Sequence, residues 1–176
     1  MATMLGMLLA ACASGPKQTT TSGYRASGGA ITVVEFEQQG VRIKYNAPHD
    51  TFGLAVAEEI AGALRKRGHR ADAVRTGSVP TGSIIVSGRV ALIDAGSRGL
   101  RWVTIGAAGH AKFGVEGSVR NVQGGEVASF SNERWSGFGF LGGNSISKVR
   151  KCLRAVGRDV AEMIDTGQYK GMESGR

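Results

Sequence analysis

The chain has 176 residues, 41% of them hydrophobic, with 28 glycines, three prolines and a formal net charge of +8. That composition excludes a disordered or fibrous chain, and the length suits one domain whose core needs neither disulfides nor metal. The charge favours a partner with a negative surface, whether nucleic acid, anionic lipid or an acidic protein, and compartment must decide among them.

Residues 1–11 carry no charge and run through Met4, Leu5, Met7, Leu8 and Leu9, an apolar stretch shorter than the roughly 20 residues a bilayer span needs. It reads as the apolar region of a signal peptide. Leu9, Ala10, Ala11 and Cys12 resemble the lipobox of bacterial lipoproteins position by position. Cleavage and lipidation take place in the membrane, so the site must be small and apolar with one thiol to carry diacylglycerol. No Lys or Arg precedes Cys12, a departure that a start codon placed too far downstream accounts for. The alternative is a frayed apolar terminus on a cytoplasmic chain; the order of apolar region, lipobox and tether favours the anchor.

Residues 12–30 are then the lipidated cysteine and a Ser/Thr/Gly-rich tether, whose roughly 18 flexible residues would span about 25 Å. Three acyl chains would hold the protein at the membrane permanently. Ala13 stands where the resemblance to lipoproteins would place Asp for inner-membrane retention, which implies the periplasmic face of the outer membrane and removes nucleic acid as partner.

The domain is expected over 31–166, with a tail at 167–176. "ITVVEFEQQGVRIKY" predicts strands over 31–37 and 41–45 joined as a hairpin near Gly40. Pro48 and Asp50 would start and cap a helix over about 51–67, with Phe52, Val56, Ile60, Ala63 and Leu64 on one face and Gly68 at its stop. A short strand near 70–75 follows. "IIVSGRVALID" has the β-branched content of a central strand buried on both faces. From Ala111 the pattern alternates: Ala111, Phe113, Val115, Gly117 and Val119 on one side, His110, Lys112, Glu116, Ser118 and Arg120 on the other. "NVQGGEV" predicts a turn back into a strand over 126–135. A helix near 145–166 carries Val149, Leu153, Val156, Val160, Met163 and Ile164 as its apolar stripe. The expected fold class is α+β, a two-layer sandwich of a mainly antiparallel or mixed sheet with two helices.

The block "GRVALIDAGSRGLRWVTIGAAGHAKFGVEGSVRNVQGGEV" resembles the central part of a bacterial lipoprotein family catalogued as domain of unknown function 4410. Gly96, Arg98 and Arg101 match its loop of glycine with two basic residues, and Gly106 and Gly109 its glycine-rich step before a hairpin. Ala107, and Asn121 with Gly124, depart from the residues usual there. The resemblance implies no established activity.

Candidate sites are few. Gly137, Gly139 and Gly142 have dinucleotide-binding spacing, but no strand follows the final helix to complete a βαβ unit, so no cofactor is expected. His49, His69 and His110 are too scattered for a metal pair and read as surface residues. A hydrolase would need Ser136 or Ser145 beside His49 or His110. Trp102 and Trp135 read as core packing. Cys152 reads as a packing residue, although Arg150 and Lys151 would lower the pKa of an accessible thiol. The sequence thus predicts a non-enzymatic lipoprotein lipidated at Cys12, free of cofactor and metal, with Arg98, Arg101, Trp102, Arg150, Lys151, Arg154 and Arg158 as a possible interaction surface. Its expected partners are the membrane through its lipid, and an envelope protein or a further copy of the chain. The alternative is a binder of anionic lipid or glycan through the basic loop.

Overall fold

A computed structural model describes residues 25–26, 28–44, 52–78, 83–96, 110–136 and 145–167. Eight elements follow in order: β1 (Ile31–Val34), β2 (Arg42–Lys44), α1 (Phe52–Lys66), β3 (Ala71–Val74), β4 (Ile84–Asp94), β5 (Lys112–Asn121), β6 (Glu126–Trp135) and α2 (Ser145–Thr166). The strands form one open mixed sheet ordered β3-β1-β4-β5-β6, with β2 also on β4. β1 is parallel to β3 and β4, while β4–β5 and β5–β6 are antiparallel. Both helices cover one face, α1 over β3 and β1, α2 over β5 and β6. This is the expected α+β sandwich of two layers.

The helices form where apolar residues recur at helical spacing. Phe52, Val56, Ile60, Ala63 and Leu64 of α1 are all buried, as is the predicted stripe of α2. α1 ends in a Schellman cap: Gly68, at φ 88°, donates to the Arg65 carbonyl (3.0 Å) and His69 to that of Leu64 (3.1 Å). The helices approach so closely that a Cβ on Gly157 would lie 2.8 Å from Glu59 Cβ. With His69 against Asp165 at their far ends, they run in the same direction.

Across the sheet, Val86 and Val90 face Val119 and Val115, and a bulge at Ala91 restores the phase so that Ile93 meets Phe113. Gly88 pairs with Gly117 in the same phase. A Cβ there would strike the Glu116 carbonyl at 2.2 Å or Phe130 Cζ at 2.6 Å, and the space is filled by the Phe36 and Phe130 rings, 6.4 Å apart.

Two expectations are corrected. No hairpin forms at Gly40: β1 and β2 both run parallel to β4, against Ile84–Val86 and Leu92–Asp94, with a Glu37–Arg89 bridge between them. The φ of 70° at Gly40 lets surplus residues loop out of one interrupted edge rather than reverse the chain. Nor is β4 buried on both faces along its whole length. Its helix-side residues Val86, Val90 and Ile93 are buried; on the face away from the described helices Arg89 is exposed and Ile85 half-buried, and only the end of the strand, with Leu92 and Asp94 buried, matches the expectation.

Candidate functional site

Helical periodicity gives α2 two unlike sides. With Val149, Leu153, Val156 and Val160 inward, the stripe Arg150, Lys151, Arg154 and Arg158 is turned out, and all four are exposed. None of them pairs with a carboxylate among the described residues. Beside this stripe a groove of about 610 Å³ lies between the helices, floored by Phe52, Leu54 and Leu153 and bordered by Glu58, Arg150 and Arg154.

No described helix covers the opposite face of the sheet, which is polar. Three of its cations meet carboxylates across strands: Arg89 with Glu116 (2.7 Å), Lys112 with Glu133 (3.2 Å) and Arg120 with Glu126 (4.0 Å). Arg42 and Lys44 of β2, in register with Leu92 and Asp94, are exposed without such a partner among the described residues. A shallow depression of about 380 Å³ lies there among Glu35, Glu37, Ser87, Arg89, Glu116 and Arg120. Sequence reasoning missed it because strands distant in the chain build it; the polar phase of β5 was its only local signal.

A polar cluster lies on the helix side. Asn132 is fully buried and donates through Nδ2 to Asp159 Oδ2 (3.1 Å), which also accepts from Arg134 Nε. That hydrogen bond holds the Arg134 guanidinium above its ordinary pKa, against the opposing effect of burial. Asn132 Oδ1 has no partner among the described residues.

Cys152 is buried and donates weakly to the Ala111 carbonyl (3.7 Å). Burial pushes its thiol up to about 11, outweighing the lowering by Lys151 and Arg134, so the net shift is upward and not the lowering expected from the basic neighbours. His69 and His110 are not simply surface residues: His69, its side chain 12% exposed, lies 2.8 Å from Asp165, and the His110 ring meets Trp135 edge-on at 4.9 Å between centroids. Trp135 is half-buried and opposite Lys112 on the open face, so it is not a core residue. Ser136 Oγ accepts from the Ala111 amide (3.1 Å).

Cys12 and the signal segment, the tether up to residue 24, His49, Asp50, the loop with Arg98, Arg101 and Trp102, the Gly137–Gly142 motif and the tail beyond residue 167 lie outside the described residues. So of the predicted interaction surface the structure brings together the four cations of α2. Among the described residues no helix is long and apolar enough to cross a membrane, and no His, Cys, Asp and Glu cluster could hold a metal ion.

Residues 37–139 match a family described as "Domain of unknown function (DUF4410)". Among solved structures, two PelC dodecamers from Paraburkholderia phytofirmans, one of a point variant, share the fold at TM-scores of 0.52 and 0.51. They are 22% and 21% identical to this chain, and each alignment covers 83% of it and 97% of the PelC chain. No curated protein matches.

Proposed function

The chain belongs to the family with domain of unknown function DUF4410, and from that premise we propose a lipoprotein held by Cys12 at the periplasmic face of the outer membrane. Its domain is a non-enzymatic scaffold for envelope proteins, further copies of itself included. One observation carries the scaffolding role: β6 ends the sheet order with ten residues of strand and no strand beyond them among the described residues. Such an edge can accept another chain's backbone. That PelC, of the same fold, is a dodecamer supports self-association.

The test is the intact mass and the light-scattering mass of protein extracted by detergent from a bacterial envelope, wild type beside Cys12→Ser. A chain beginning at Cys12, heavier by acylated glyceryl, and assembled into oligomers is the expected result. An unmodified chain retaining residues 1–11 overturns the anchor, and a monomer at every concentration overturns self-association.

The second reading is a binder of anionic lipid or glycan through Arg98, Arg101 and Trp102. The four cations of α2 without described carboxylate partners favour it. Binding to such ligands that weakens with salt would support it, and no binding at low salt would remove it.

A further inference from the structure

The N-terminal segment meets the domain at a defined point. The Ala26 amide donates to the Ile164 carbonyl (3.0 Å), and Arg25 Nε donates to the Asp165 carbonyl (3.1 Å), so the chain is fastened to the last turn of α2 before entering β1. The C-terminal end of α1 shares this corner, with Arg67 reaching Glu162 and Asp165 at 3.6 Å each. Cys12 precedes Arg25 by thirteen residues, which reach at most about 45 Å. From Asp165 back to Arg150 is fifteen residues, about 22 Å of helix. The whole basic stripe of α2 is thus within reach of a surface that holds Cys12.

Charge distinguishes the two sides that could face such a surface. On the open sheet face Arg89, Lys112 and Arg120 each have a carboxylate within 4.0 Å, and the exposed cations without one, Arg42 and Lys44, stand on the short strand β2 rather than in a row of four. On the helical layer Arg150, Lys151, Arg154 and Arg158 are exposed without such partners among the described residues, and Lys66 adds another exposed cation. The groove beside them is lined by Phe52, Leu54 and Leu153 with Arg150 and Arg154, but also by Glu58 and Glu59 of α1, so the cation contact rests on the α2 stripe and not on the groove.

We propose that the protein lies with its helical layer against an anionic phospholipid bilayer, Arg150, Lys151, Arg154 and Arg158 meeting the lipid phosphates while the open sheet face points away. The orientation rests on the lipoprotein reading; the cation contact rests on the folded domain alone. Each basic residue near an anionic leaflet strengthens attachment about fivefold, and the effect fades within about 8 Å at physiological salt.

The experiment uses the full chain carrying Cys12→Ser, so that no lipid contributes, and phosphatidylcholine vesicles with and without phosphatidylglycerol. Co-sedimentation is expected only with phosphatidylglycerol and should decline as salt rises. Arg150→Glu, Lys151→Glu, Arg154→Glu and Arg158→Glu together should weaken it at least about a hundredfold. A control of equal charge change uses the exposed Arg42, Lys44, Arg75 and Arg120, each changed to Glu, and should cost far less, with the fold of both variants checked by circular dichroism. Equal losses in the two variants, or binding indifferent to phosphatidylglycerol, overturn the proposal. For orientation, the acylated protein in the same vesicles carries a spin label at Arg154→Cys or at Ser131→Cys, in a Cys152→Ser background. The α2 label should report the lipid surface and the sheet label water, and the reverse overturns the orientation. A chain found unacylated removes the anchor and leaves the vesicle result standing, so the two failures are distinguishable.

Discussion

The two outer faces of the sandwich are both charged, yet their charges are arranged differently. On the open sheet face each of three cations stands near a carboxylate of an adjacent strand, whereas the four on α2 have no such partner among the described residues. The first arrangement fixes strand register and keeps the face wet without outside help; the second leaves a field for something else to neutralise. Charge count alone does not mark an interaction surface; several uncompensated charges in one row make the stronger candidate.

The largest effects are expected where the helical layer meets the sheet. Ile60, a fully buried residue of α1, changed to Ala should cost about 2–5 kcal/mol, read by denaturant unfolding. Asp159→Ala would strand Asn132 and Arg134 together. Since Arg134 is 32% exposed and Asp159 20%, about 2–3 kcal/mol is expected rather than the larger penalty of a fully buried pair, read by thermal unfolding. A loss below that of a surface pair would show that water replaces the carboxylate and would blur the contrast between faces.

Cys152 sharpens the same contrast through pH. Its folded thiol titrates at about 11 against an ordinary 9.0, so between pH 9 and 11 the folded chain holds a proton that the unfolded chain has lost. Stability should therefore fall as pH rises through that window, and Cys152→Ser should remove this component, measured by unfolding at each pH. On the open face, Arg89→Ala breaks a pair 54% and 44% exposed and should cost under about 1 kcal/mol. A larger loss would mean that this face is covered in the working protein.

Periodicity made much of this legible. Both helices and the β5–β6 hairpin follow from apolar spacing and turn residues: Gly124, at φ 81°, donates to the Asn121 carbonyl, and Asn121 Oδ1 accepts from Gly125. Partner choice was not legible. The pattern of 31–45 marks strands but does not say that β2 would continue along β4 beside β1. The exposed cations of α2 could be read directly, because one helix face needs only its own sequence. The Asn132–Arg134–Asp159 cluster spans two elements, and its one signal was that β6 turns polar in the phase begun by Ala128 and Phe130.

The fastening of Ala26 and Arg25 to the end of α2 also has a mechanical meaning. A pull transmitted along the residues before Arg25 reaches the last turn of the final helix first, and only after those two hydrogen bonds yield does it load β1 at Ile31. The segment that enters the fold first is thus strain-relieved by the final described helix, and a pull on it would be absorbed at a helix end that can re-form, leaving the sheet register untouched.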